Sequence, residues 1–283
     1  VDLTTDQTIA GVKTLSSDIV VNSVNIGRGK GAVATNTAVG TDAISATATG
    51  ADNAALGYNA LKVVTSGARN TAVGSFAAAS LTTGNDNSVL GFQALKNNTT
   101  GYSNVAIGKS SLVNNTTGIS NIAIGTDSGL SNTTGNYNTA VGQSALGLNT
   151  TGVANSAIGG NALYATTTGN YNSALGWQSL AGNTTGIDNV AVGYNAGRFD
   201  TTGTTAMTTS SFSVYLGAST KGLNATGSVN ETVIGNAAVG LGSNSTVIGN
   251  SNTTKAAIYG ALDLPNATSS TSTTTGALKV AVE

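Results

Sequence analysis

The chain has 283 residues, of which only 8 % are charged, and a formal net charge of −1; about 25 % charged is usual in a globular domain. Neither nucleic acid nor an anionic membrane surface has a basic patch to bind. His and Cys are both absent, which removes the commonest general base, the commonest metal ligands and the Cys or Ser–His nucleophile pairs.

Residues 1–22 form an N-terminal connector in which Gly11 separates two short β-like pieces, Thr8–Ala10 and Val12–Leu15. The chain begins at Val1 with no visible signal peptide, so a processed or partial chain is expected. Residues 23–205 form the expected shaft. Ser23-Val24-Asn25-Ile26-Gly27 reads as a degenerate first coil, followed by the one basic, glycine-rich spot, Gly27-Arg28-Gly29-Lys30-Gly31. A phosphate loop needs Gly-x4-Gly-Lys-Ser/Thr. Here Gly31 follows the Lys and Val24 occupies the place of the first Gly, so a phosphate loop is rejected. Gly108-Lys109-Ser110 fails the same test at Ser103.

From residue 36 one pattern returns ten times at a spacing of seventeen: Asn-x-Ala-aliphatic-Gly, a small residue, usually Leu, then a Thr-rich run closing in Gly. Asn recurs at Asn36, Asn53, Asn70, Asn87, Asn104, Asn121, Asn138, Asn155, Asn172 and Asn189, and a Gly follows each four places later. A second Gly recurs from Gly50 to Gly203. Fixed short periodicity means a stacked, quasi-one-dimensional fold. Seventeen residues are too few for two packed helices and a turn, and two Gly per unit oppose one long helix. The segment before the first Gly is β-like, with Ala third (Val89 once) and Val, Leu or Ile fourth. Neighbouring strand residues face opposite ways, so both faces are apolar and both need cover. The expected fold is all-β: an elongated β-solenoid or β-roll of 17-residue coils, with Ala inside and the aliphatic row against a second body, most simply identical chains. The Asn column stacks as an amide ladder. The glycines mark corners where positive φ or close backbone approach is needed. At the inter-strand spacing of about 4.8 Å, ten coils make a rod on the order of 48 Å long.

Residues 206–260 hold an irregular insert (206–212) and shorter terminal coils, Ser213–Gly217, Glu231–Gly235, Ser245–Gly249 and Ala256–Gly260, in which Tyr, Val or Ile replaces the third-position Ala. Residues 261–283 contain the single Pro, Pro265, a Ser/Thr linker over 266–275 and a final strand, 276–282. No run of eighteen apolar residues exists, so no transmembrane helix is expected.

The acids do not gather into a catalytic pair. Asp42 and Asp127 share a repeat position, five coils or about 24 Å apart by strand spacing; glycosidase carboxylates sit within about 5–9.5 Å. Asp52, Asp86 and Asp188 share another position, the nearest two roughly 10 Å apart. No catalytic residue, metal ligand or cofactor is expected, and the chain reads as a non-enzyme. After the first Gly of each coil the residue varies, with Trp177, Tyr194, Tyr58 and Phe92 as candidates for stacking on a glycan; rim packing between subunits is the plainer reading. Asn-Thr-Thr runs such as Asn98–Thr100 match the glycosylation sequon but recur with the period, as corner chemistry does.

The stretch from Asp6 to Ser17 resembles a connector of bacteriophage tail fibres. Units such as Asn138-Thr-Ala-Val-Gly142 followed by Thr150-Thr151-Gly152 resemble the repeats of tail-fibre and other virion fibre shafts. They are also similar to trimeric autotransporter adhesin heads. The resemblance implies a homotrimer on a virion, bound at one end to other virion proteins and presenting an end for host attachment to a surface glycan or protein. It also implies the removal or truncation of a C-terminal chaperone domain, while charge and hydropathy lead to the expectation of no nucleic acid and no membrane insertion, and no cofactor is expected. A trimeric bacterial surface adhesin is the alternative; an ice-binding solenoid built on the Thr ladders is the second.

Overall fold

The computed structural model describes residues 19–21, 24–31 and 33–254. The connector up to residue 18, the strand at 256–260, the Ser/Thr linker and the final strand lie outside the described residues. In the unit through Ser251 a single sheet of fifteen strands runs in sequence order. It opens with β1 (Ile19–Val21) and β2 (Val24–Gly27), continues with ten three-residue strands from β3 (Thr37–Val39) to β12 (Val190–Val192), and ends with β13 (Val214–Leu216), β14 (Glu231–Ile234) and β15 (Ser245–Ile248). From β3 onward every pairing is parallel, and from β3 to β12 the partners stand seventeen residues apart, as in Ala106↔Ala123 and Ile107↔Ile124. The described residues contain no helix. The expected all-β solenoid of about 17-residue coils is what the chain forms.

The regularity traces to one device, the coil-to-coil hydrogen bond, and it operates in the corners as well as the sheet. Past the strand, successive backbone N–H groups point alternately to the coil before and the coil after: Phe76 donates to Tyr58 O at 2.9 Å and Ala78 to Ala94 O at 3.0 Å. The alternation comes from left-handed residues between right-handed ones, here Phe76 (φ 58°) and Ala78 (φ 46°), with Asp86 (φ 58°) repeating the device before the next Asn. Such φ values are unusual outside Gly. They persist because each flipped peptide gains a partner that would otherwise be lost. The same pairing requires any extra residues to be looped out of the coil, since one left within it would misalign the bonds that follow.

The two recurring glycines have different causes. The first lies at φ between 128° and 148°, a region essentially confined to Gly. A Cβ on Gly108 would also fall 2.6 Å from Gly125 O. The second has no positive φ in the regular coils; a Cβ on Gly118 would simply strike the Asn115 Oδ1 at 2.3 Å and Gly135 O at 2.5 Å.

The interior is filled by the third-position Ala row, by Leu61, Leu95, Leu146, Leu163 and Leu180, and by the small residues before those leucines, all buried. Inward Ala matches expectation. Tyr215 and Val233 take the Ala place beyond the regular coils and are fully buried. Tyr215 fits because Gly197 leaves the space: a Cβ there would lie 2.7 Å from its ring.

Two expectations change. Ser23–Gly27 is not a first coil: β2 pairs antiparallel with both β1 and β3 (Ile26↔Val39). Only nine residues separate β2 from β3, against fourteen between successive coil strands, and an antiparallel return needs no full circuit. The hairpin covers the open edge of the parallel sheet. The insert also starts earlier than residue 206. Thr184 N bonds to Thr208 O and Ser213 N to Asn189 Oδ1, a step of 24 residues in place of 17. Thr208-Thr209-Ser210 therefore forms the Thr-rich corner of the tenth coil. Gly203 lies instead in a projecting hairpin closed by the Phe199–Ala206 bridge, and its agreement with the period is coincidental. The last circuit, β14 to β15, shortens to fourteen residues.

Candidate functional site

The Asn column is buried, each side chain 5 % exposed or less. Its chemistry is more specific than amide-on-amide stacking. Each Oδ1 accepts the backbone N–H of the next Asn, as Asn104 Oδ1 does from Asn121 N at 3.0 Å. From Asn36 to Asn172 each Nδ2 donates to the carbonyl of the second Gly of its own coil, as Asn121 does to Gly135 O at 2.9 Å, and Asn189 donates to Ser210 O in its place. In most coils Nδ2 also donates to the Asn below, as Asn172 does to Asn155 Oδ1 at 3.0 Å. One side chain thus ties the strand entry to the last corner and both to the next coil. Beyond Asn189 the column continues as Ser213, whose Oγ accepts Glu231 N at 3.1 Å, and then as the buried Glu231. Glu231 accepts from Tyr215 Oη at 3.1 Å and from Gly242 N at 2.8 Å.

A second amide column went unread in the sequence. Asn98, Asn115, Asn132 and Asn149 are buried and bonded Nδ2 to Oδ1 in series, at 2.7–2.9 Å. Their Asn-Thr-Thr runs are therefore corners with the amide turned inward, not exposed sequons. The signal was present in their 17-residue spacing. The first Thr of each run forms a third column, its hydroxyl bonded to the next coil's carbonyl (Thr116 Oγ1 to Thr133 O, 3.0 Å); the second Thr is exposed.

The outward face of the sheet is the extended surface of the chain. Strand positions on either side of the buried Ala turn outward together. The fourth-position row is 36 % exposed at Ile107 and up to 51 % at Leu90, with Val39, Val73 and Val141 half-buried. The outward second position is Thr, Ser, Ala, Val or Ile. No charged side chain stands in either row from β3 to β12.

The four aromatic candidates, Trp177, Tyr194, Tyr58 and Phe92, are each about half exposed. Tyr58 meets Phe76 edge-on at 5.2 Å. The Trp177 ring lies over Gly160, whose missing Cβ makes room for it, so one of its faces is covered by its own chain. The acids are apart and partly paired. Lys30 bonds Asp42 at 2.5 Å, which takes the basic Gly-rich segment out of play as a loose loop. Arg69 grips Asp86 with two bonds, at 2.6 and 2.9 Å. Those hydrogen bonds hold both carboxyls below the ordinary carboxylate range, the reverse of what a general acid requires. Among the described residues no three His, Cys, Asp or Glu side chains gather as metal ligands, and no helix is long and apolar enough to cross a membrane. Comparison with protein-family models, curated protein sequences and solved structures returns no match.

Proposed function

We propose that this chain is the shaft of a virion fibre or spike, working as a homotrimer that spaces a receptor-binding end from the particle. The observation that carries the reading is the uncharged outward face of the sheet, whose fourth-position row is aliphatic through all ten coils and half-buried to exposed in the single chain. A strip three residues wide and ten strands tall is about 10 Å by 48 Å by strand geometry. That is on the order of 480 Å² per copy, a little over half of the roughly 800 Å² per partner of a standard interface. An apolar patch at the upper end of what a monomer exposes is often functional. Three such strips turned toward a common axis cover one another, and the resemblance to trimeric virion fibres selects three copies over two. The uncharged outward face of the sheet supports a structural role. The ice-binding reading loses ground, because one Thr hydroxyl of each pair is engaged with the next coil.

Sedimentation tests this. The expected species has three times the 27.6 kDa of one chain. Leu175→Lys, placed in the outward row, is expected to leave the coil intact, since Leu175 is half exposed within one chain, and to abolish assembly. A wild-type monomer, or a Leu175→Lys trimer, overturns the proposal.

A further inference from the structure

The insert is where the chain first departs from its 17-residue period, within the tenth coil, and it builds a cleft. The Phe199–Ala206 hairpin of the tenth coil stands against the ninth; Gly182 lets it approach, since a Cβ there would meet Ala206 Cβ at 2.7 Å. Between the hairpin and the eighth and ninth coils lies a cleft of about 640 Å³, within the size range of small-molecule sites. Asn161, Tyr164 and Gln178 form its floor, Phe199 and Thr204 its wall, and Arg198 sits where they meet.

Arg198 is the single charged residue lining this cleft, and the sequence has no Lys or Arg between it and Lys109. Its partners are neutral. Nη1 donates to Gln178 Oε1 and, at 3.1 Å, to Asn195 Oδ1, while the guanidinium lies 4.4 Å from the Phe199 ring centre. An Arg side chain has five N–H donors, and both of these bonds leave from Nη1. The Nε and Nη2 edge, the fork that grips a carboxylate with two parallel bonds, carries neither. The rest of the group is thus held in place by two amides and an aromatic face. Tyr164 is exposed, and its ring is set by Gly147, over which it lies. Side-chain amides at Asn161 and Gln178 and the Thr204 hydroxyl can each give and accept hydrogen bonds.

We infer that this cleft binds an acidic saccharide, with its carboxylate on the Nε/Nη2 edge of Arg198 and its ring against Tyr164 or Phe199. One cation matches one negative charge. A phosphate or sulfate site draws instead on several cations or on converging backbone N–H groups. Aromatic faces with amides and a hydroxyl suit the apolar and hydroxylated faces of a sugar ring. The site lies within one chain, so it does not depend on the shaft proposal.

The test is titration of the full chain, by calorimetry and saturation-transfer NMR, with sialyllactose and trigalacturonate as acidic probes. Lactose is the neutral control and inorganic phosphate the competitor. At least one acidic probe is expected to bind at least about tenfold more tightly than lactose, a difference of about 1.4 kcal/mol, and phosphate is expected not to displace it at equal concentration. Arg198→Gln should reduce the acidic probe to the level of lactose. Arg198→Lys, which keeps the charge without the fork, should weaken it several-fold. Thr204→Trp fills the cleft without touching Arg198, and it should block binding even where an Arg198 variant fails to fold. No binding of either acidic probe overturns the inference. So do equal binding of lactose, displacement by phosphate, or full binding by Arg198→Gln or Thr204→Trp. The oligomeric state is read separately by sedimentation, so failure here and failure of the shaft proposal are distinct results.

Discussion

Replacing Asn121 by Ala isolates the contribution of one rung of the buried column. Three bonds involve the side chain: Oδ1 accepts Asn138 N at 3.0 Å, and Nδ2 donates to Gly135 O at 2.9 Å and to Asn104 Oδ1 at 3.2 Å. The losses are unequal. Gly135 O retains Asn132 Nδ2 at 3.1 Å, and Asn104 Oδ1 retains the Asn121 backbone N–H. Asn138 N–H is left buried without an acceptor. An orphaned buried donor costs about 1–3 kcal/mol, and each net hydrogen bond about 1 kcal/mol. The expected loss is therefore about 2–4 kcal/mol. Because a solenoid's stability is a sum of neighbouring coil contributions, the loss should be local. Amide exchange at Asn138 should accelerate roughly 30- to 700-fold at 1.4 kcal/mol per decade, with coils at either end unchanged. Asn121→Asp should be worse, since it sets a charged acceptor against Gly135 O and Asn104 Oδ1. The exposed neighbour Asn114, bonded only through Asn97 Nδ2 at 3.2 Å, is the control: Asn114→Ala should change stability by less than about 0.5 kcal/mol. Exchange at Asn138 no faster in Asn121→Ala than in Asn114→Ala would refute the reasoning.

Thr166 interrupts the second amide column and leaves the buried Oδ1 of Asn149, which the next coil's Nδ2 would fill, without a partner. Thr166→Asn should give Asn149 a donor and raise stability by about 1 kcal/mol, read from the urea midpoint; a drop would show that the site cannot hold the amide. Gly142→Ala would place a Cβ 2.6 Å from Gly159 C at φ 129°, and should cost at least about 1–3 kcal/mol in backbone strain alone, measurable as a lowered melting temperature. Burial raises the pKa of the Tyr215 hydroxyl well above its ordinary 10.0, and the Glu231 carboxyl adds to this against the Ser210 hydrogen bond. A raised folded value means stability that is complete below pH 10 and lost as pH climbs through the folded value. The end of the solenoid around β13 and β14 should therefore loosen above pH 10, and Tyr215→Phe should remove that component; identical alkaline melting curves for the two proteins would count against it.

Much of the coil was legible because a 17-residue repeat aligns like with like. The Ala row announced a narrow interior, and the aliphatic row announced a face that a single chain leaves open. The reading failed where regularity stopped carrying information. Gly203 fell on the period by coincidence, and only the bonds from Thr184 to Thr208 and from Ser213 to Asn189 expose the seven-residue displacement. Ser23–Gly27 had the composition of a coil strand, yet strand direction follows the route of the link, which composition does not state. The aromatic candidates are marked only by their place after the first Gly of a coil. The cleft at Arg198 instead depends on a hairpin meeting residues one and two coils away, and no local pattern marks it.

By itself the sequence determined the period, the strand, the two glycine corners and which residues turn inward. Each of these repeats ten times, and a short-range constraint repeated that often cannot be accidental. The tertiary structure decided the rest: which glycine is held by φ and which by contact, where an amide finds its second and third partners, how the first strands run, and where the insert folds back to make a cleft. Those outcomes depend on atoms brought together by stacking, and a chain of letters contains the spacing of such atoms but not their approach.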